Sequence, residues 1–164
     1  MQKIDYSQLE LNPFTMIGNE AFLLTAGTMK DWNTMTAGWG GLGFIWGEPS
    51  VFVFVRESRY TLSFMDKYDR FTLSFFPPEM KNALDFCGSH SGRDTDKAKG
   101  AAITPVEVDG TVTFEEANLV FSCRKASKTL IDEKQIIDSS VLKLYPQQDW
   151  HDMYIGYIDG VYIP

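Results

Sequence analysis

Residues Arg70 to Phe76 read RFTLSFF, and their alternation constrains the chain more than any other feature. Phe71, Leu73 and Phe75 fall on one side of an extended backbone and Thr72 and Ser74 on the other, a period of two that strands use and helices do not. Similar segments recur. Glu20 to Ala26 and Trp32 to Trp39 are short aromatic and β-branched runs. Val51 to Arg56, VFVFVR, is a continuous apolar run suited to a strand buried on both faces. Asn118 to Lys125 groups Leu119, Phe121 and Cys123 on one face. Met153 to Ile163 predicts a final strand or hairpin with Asp159-Gly160 as its turn. One helix is clear. Pro78 suits its first position, Glu79 its positive end and Gly88 its stop, while Met80, Ala83, Leu84 and Cys87 recur at helical spacing. A shorter helix is expected near Tyr60 to Tyr68 and a turn near Asp94 to Gly100. Many short strands with few helices predict a closed or nearly closed antiparallel barrel.

The 164 residues suit a single domain, residues 1–164, with 44% apolar residues to fill its core. Fifteen basic residues stand against 22 acidic ones, a net charge of -7. That field repels phosphate backbones and anionic lipid, so neither nucleic acid nor a membrane surface is expected as a partner. A small anion remains compatible, because a local cluster of cations overrides the mean. Cys87 and Cys123 make no disulfide framework, which points to a reduced, cytoplasmic setting. The opening MQKIDYSQLELNPF lacks the basic and apolar regions of a secretory signal, and no apolar run reaches the roughly 20 residues that span a bilayer. The only histidines, His90 and His151, are far apart and follow no metal-ligand spacing, so no metal site is expected.

Three segments can carry chemistry, and each has a plainer reading. Asn33-Thr34-Met35-Thr36-Ala37-Gly38-Trp39-Gly40-Gly41 is dense in small and hydroxylic residues. Such a stretch lets backbone N–H groups approach a planar ligand, or it makes a glycine-rich bend at a barrel corner. Arg56-Glu57-Ser58-Arg59-Tyr60-Thr61 follows an apolar strand. Its arginine forks and hydroxyls, with amides from a following helix, suit a phosphate; alternatively it is a solvated strand end with Arg56 paired to an acid. The polar loop from Cys87 to Lys97 either closes over a phosphate or is an ordinary surface loop whose aspartates neutralise Arg93 and Lys97. No G-x-G-x-x-G precedes a helix, and no Walker sequence is present. His151, in Asp149-Trp150-His151-Asp152, is either a site residue or a surface histidine held by its flanking carboxylates.

These segments, taken in order, resemble the flavin reductase-like, FMN-binding split-barrel family, in particular its small flavoredoxin-type members. The matching stretches are NPFTMIG at Asn12 to Gly18, LLTAG at Leu23 to Gly27, NTMTAGWGGLGFIW at Asn33 to Trp46 and VRESRYT at Val55 to Thr61. They continue through FTLSFF at Phe71 to Phe76, CGSHSGRDTDK at Cys87 to Lys97, FEEANLVFSCRK at Phe114 to Lys125 and DWHDMYIGYIDGVYI at Asp149 to Ile163. The sequence departs from the family pattern in carrying Gly38 where serine is common, Glu57 where proline is common and Tyr157 where an acid is usual.

The resemblance implies a mainly β fold, a six-stranded antiparallel split β-barrel with Greek-key connections and a few flanking helices. It implies a homodimer with FMN near the subunit interface, and NADH or NADPH as electron donor. Asn33, Thr34, Met35, Thr36, Ala37 and Trp39 would lie along the flavin ring and ribityl chain. Arg56, Ser58, Arg59, Tyr60 and Thr61 would hold the ribityl and phosphate end, and Ser91 and Lys97 would reach the phosphate from the third loop. Hydride transfer to the flavin needs no protein acid or base; His151, at the ring edge or nicotinamide, is the one catalytic candidate. The implied activity is an NAD(P)H-dependent flavin reductase. The alternative is a flavoredoxin-type electron carrier that keeps FMN bound and exchanges electrons with a redox protein partner.

Overall fold

A computed structural model describes residues 1–164. Its frame is one antiparallel sheet built from β1 (Gln2–Ile4), β2 (Phe22–Thr28), β3 (Asp31–Ala37), β4 (Gly40–Ile45), β5 (Glu48–Arg56), β6 (Arg70–Phe75), β9 (Leu119–Ile131) and β10 (His151–Ile163). The hydrogen-bonded order is β3-β2-β6-β9-β10-β5-β4, with β1 beside the end of β10. The sheet thus has eight strands where six were expected. A separate hairpin, β7 (Pro105–Val108) and β8 (Thr111–Phe114), lies outside it. Helices α1 (Pro13–Thr15), α2 (Thr61–Lys67), α3 (Lys81–Ser89) and α4 (Lys97–Ala101) flank the sheet. The ladder stops at β3 on one side and β4 on the other, so the barrel is split.

The β-hairpin explains why both faces of β6 are buried. Phe71, Leu73 and Phe75 enter the larger apolar core. Thr72 and Ser74 point the other way yet are equally hidden, because Thr72 Oγ1 donates to Val112 O (2.7 Å) and Ser74 Oγ shares a bond with Thr113 Oγ1 (2.9 Å). Polar side chains survive there because the hairpin satisfies them. A second core, with Leu23, Leu84, Cys87, Phe114 and Val120, fills the space between the sheet, α3 and β8.

Three expectations need correction. Like β6, β2 is buried on both faces, at every position from Phe22 to Gly27; β5, expected to be so, is not. In β5, Val51, Val53 and Val55 are buried while Phe52 and Phe54, on the opposite face, stay half-exposed, Phe54 beside the His151 ring. Asp159-Gly160 is no turn: β10 runs through it with a bulge, and Arg70 (2.8 Å) and Arg124 (3.6 Å) hold the Asp159 carboxylate. Helix α3 passes through Gly88 and ends at Ser89.

Candidate functional site

The ladder between β5 and β10 sets the site. His151 pairs with Arg56, and each step outward keeps the antiparallel register. Beyond the last pair, Glu57 N donates to Trp150 O (3.0 Å), and the Asp149 carboxylate accepts from Ser58 N (2.9 Å) and Ser58 Oγ (2.6 Å). A proline in place of Glu57 would have no N–H for this tie. The Arg56 guanidinium secures the same segment by donating to Asp149 O (2.9 Å) and Leu144 O (3.1 Å), its plane over the Tyr145 ring. Arg56 pairs with no acid, so the reading of it as a neutralised strand end is overturned.

Two cavities meet in the split of the barrel. The polar one, of about 290 Å³, is lined by Asn33, Met35, Arg56, Ser58, Arg59, Tyr60, Thr61, Ser91 and Lys97, together with Ser89, His90, Gly92, Arg93 and Asp149. Nine of the expected contact residues therefore converge from three distant segments. The aromatic one, of about 140 Å³, is lined by Met35, Thr36, Ala37, Gly38, Trp39, Phe54, Arg56, Arg59 and His151. Met35, Arg56 and Arg59 belong to both walls, which makes one cleft with a cationic end and an aromatic end.

Residues of β3 divide by face. Asn33, Met35 and Ala37 look into the cleft or the core beneath it. Thr34 does not line either cavity, because its hydroxyl is turned to Thr25 Oγ1 (2.8 Å) and Leu24 O (3.2 Å). Only its main chain serves the site, where Thr34 O accepts a bond from Lys97. The Thr36 hydroxyl donates to Leu84 O and ties the strand to α3. Asn33 Nδ2 donates to Thr61 Oγ1 (2.8 Å), which leaves the Thr61 proton free to donate into the cavity. Gly92 lies against that carboxamide so closely that a Cβ there would meet Asn33 Oδ1 at 2.0 Å. The start of α2 offers fewer amides than expected, since Leu62 N and Ser63 N are already bonded to Arg59 O and Tyr60 O.

The electrostatics are uneven. Arg56, Arg59, Arg93 and Lys97 face one carboxylate, Asp149, and none of these five joins an ion pair. Arg59 donates to Gly88 O (3.1 Å), and Arg93 lies over the Tyr60 ring. Lys97 is 6% exposed, and its ammonium donates to Thr34 O (2.7 Å) and Cys87 O (2.8 Å). Burial, with the nearby Arg59 charge adding to it, holds its pKa below the ordinary lysine value. Cys87 is pushed up to about 11 by burial, so it stays a thiol.

His151 is also 6% exposed, so it is not a surface histidine. Its ring lies on Trp39 (centroids 4.9 Å apart, 36°), and its Nδ1 shares a hydrogen bond with Tyr145 OH (2.8 Å). The flanking acids look elsewhere: Asp149 holds Ser58, and Asp152 pairs with Lys128 (3.1 Å). Burial, and then the Arg56 charge, lowers the His151 pKa to about 4, so the ring is neutral at pH 7. Sequence reasoning missed Phe54, Tyr145 and the role of Asp149. For Asp149 the signal existed, because any antiparallel pairing of VFVFVR with HDMYIGY carries the preceding aspartate towards the residues after Arg56.

An acidic chain has thus placed a cationic, partly apolar cleft at the open seam of a split β-barrel. Residues 17–164 match the flavin reductase like domain, and the chain belongs to that family. Among solved structures, it is similar to the flavoredoxin of Methanosarcina acetivorans (20% identity over 96% of this chain and 75% of that one, TM-score 0.71). It is also similar to an FMN-binding protein of Thermus thermophilus crystallised with 1-cyclohex-2-enone (19% identity, 99% and 80% covered, TM-score 0.70). A third similar structure is the flavoredoxin of Desulfovibrio vulgaris (Miyazaki F) (20% identity, 100% and 77% covered, TM-score 0.69). No curated protein matches the sequence significantly. No helix is long and apolar enough to cross a membrane.

Proposed function

We infer that this chain binds FMN in the cleft and acts as an NAD(P)H-dependent flavin reductase. The single observation behind this reading is Lys97, a buried ammonium with two carbonyl partners and no acid, on the wall of a cavity that holds three arginines. A charge so desolvated calls for a counter-anion, and this chain supplies one carboxylate against four cations. A phosphate ester meets that need, and the family match and the FMN-binding relatives supply the rest of the molecule.

FMN, when bound, would supply a ring that accepts hydride from a nicotinamide at N5. Arg59, Arg93, Lys97, Thr61 and Ser91 would hold its phosphate end, with the Ser58 donors already engaged by Asp149. Met35 and Ala37 present a flat backbone to the ring, and Trp39, Phe54 and His151 form an apolar wall that excludes water from it. His151 serves as a neutral surface: at pH 7 it has no proton to give as an imidazolium. Dimerisation is part of the same reading. Phe44 in β4 (67% exposed), Trp39 before it (44%), Trp46 after it (60%) and Phe14 in α1 (86%) leave exposed aromatic surface, as interfaces between copies do.

The test is the visible spectrum of the purified protein with FMN, under anaerobic conditions, before and after NADH or NADPH. Loss of the oxidised flavin band on adding nicotinamide is expected. Retained flavin that nicotinamide leaves oxidised, but a protein donor reduces, would replace the reductase reading with that of an electron carrier. Failure to bind FMN at all would end both. Sedimentation of the same sample at micromolar concentration is expected to give a dimer, and a monomer would refute the interface.

A further inference from the structure

The one carboxylate of the cationic cavity is placed as though it were a ligand. Asp149 Oδ1 accepts from the Ser58 main-chain N–H and Oδ2 from the Ser58 hydroxyl, the paired donors that suit two oxygens of an anion. It cannot withdraw with its backbone. Asp149 O is held by Arg56, Trp150 O by Glu57 N, and Leu144 O by the other arm of Arg56. It is also not neutralised, because its partners are uncharged and it joins no ion pair. Its charge therefore stands in the same cavity as Arg59, Arg93 and Lys97.

We propose that Asp149 is the built-in counter-anion of this cavity and sets its specificity between phosphorylated and unphosphorylated flavin. The proposal rests on the flavin reading above. A phosphate entering the cavity either takes the Ser58 donors from Asp149 or sits beside a fixed negative charge. Both cost affinity, and neither touches a ligand that lacks the phosphate. Asp149 thus narrows the gap between FMN and riboflavin and favours a flavin that is exchanged over one that is locked in place.

The experiment compares the wild-type protein with Asp149→Asn, which keeps an oxygen to accept from Ser58 N and removes the charge. FMN and riboflavin are titrated by fluorescence, and inorganic phosphate is titrated against thermal midpoint without flavin. Asp149→Asn is expected to tighten FMN about tenfold, leave riboflavin within about twofold, and raise the stabilisation given by phosphate. Unchanged or weaker FMN binding with riboflavin unaltered overturns the proposal, as does an equal change for both flavins. Asp149→Ser gives the same readings should the asparagine variant fail to fold. If the wild-type protein binds neither flavin, the FMN reading falls. The phosphate titration still decides the role of Asp149: a larger phosphate effect in the variant upholds it as counter-anion, and no difference refutes it.

Discussion

Replacing Lys97 with methionine separates the flavin-free protein from the loaded one. In the flavin-free chain two effects oppose each other. The substitution removes a buried charge that has no acid partner, and it removes donors from Thr34 O and Cys87 O at 2.7 and 2.8 Å. Lost hydrogen bonds to a charged group cost about 1.5–3 kcal/mol each, and the relieved desolvation is of similar size, so net stability moves little. Binding has no such cancellation. A unit charge about 4 Å from a phosphate charge contributes at most about 4 kcal/mol at an effective dielectric near 20. Half of that survives if the phosphate keeps Arg59 and Arg93, which gives a loss of about 30- to 1000-fold in FMN affinity. Riboflavin, with no phosphate, is expected to bind Lys97→Met as it binds the wild type. The assay is flavin fluorescence titration at two salt concentrations, with chemical denaturation of the flavin-free proteins alongside. The FMN affinity of the variant should also depend less on salt, since one screened pair is gone. Equal weakening of FMN and riboflavin would refute the reasoning, because Lys97 would then be shaping the cleft and not meeting a phosphate.

His151 and Gly92 give two further tests. The His151 pKa of about 4 lies below the ordinary 6.5, so its neutral form supports the fold above pH 6.5, and that support is lost as pH falls from 6.5 through 4. His151→Gln should therefore lose about 3 kcal/mol less stability than the wild type between pH 7 and pH 4 in urea titrations, and parallel pH profiles would show the histidine to be unperturbed. Gly92→Ala places a Cβ 2.0 Å from Asn33 Oδ1, so the carboxamide or the loop has to shift, and the buried bond from Asn33 to Thr61 is expected to weaken. It should cost about 1–3 kcal/mol and weaken FMN, whereas Gly18→Ala, with nothing within 4 Å, serves as the neutral control; equal stability of the two variants would refute the wedge.

What the sequence made legible follows from which forces act locally. Helix α3 is legible because it buries one face, and burial writes a period into the residues that supply it; β2, β3, β5 and β6 are legible from their apolar, aromatic and β-branched residues although β2 and β6 bury both faces, whereas β4, with three glycines in GGLGFI, carries no such signal. Two Asp-Gly pairs show where local signals stop. Asp109 and Gly110 both take positive φ (47° and 78°) and turn the β7–β8 hairpin, flanked by the alternating Val106, Val108, Thr111 and Thr113. Asp159-Gly160 has the same letters and makes a bulge, because Arg70 and Arg124 hold its carboxylate and the four residues after it include the partners of β1. No local rule separates the two; the partner strand does.

The candidate site divides along the same line. By composition Asn33 to Trp39 and Arg56 to Thr61 stand out only as stretches that suit either a ligand or a plainer role, and it is the family resemblance that singles out the ligand. Within them, the Thr34 hydroxyl turns away from the cleft because period two sends alternate residues to opposite faces, and the hydroxyl count says nothing about which face holds the cleft. Asp149 was read only as a neighbour of His151, although its partner lies 91 residues away in Ser58. That contact is set by the register that pairs His151 with Arg56: a shift of one residue in β10 would turn His151 away from Trp39 and draw Asp149 off the Ser58 donors together. The aromatic wall and the anionic plug are therefore two consequences of a single strand pairing. An insertion between Trp150 and Met153 should disturb both ends of the cleft at once, even though it adds no group to either.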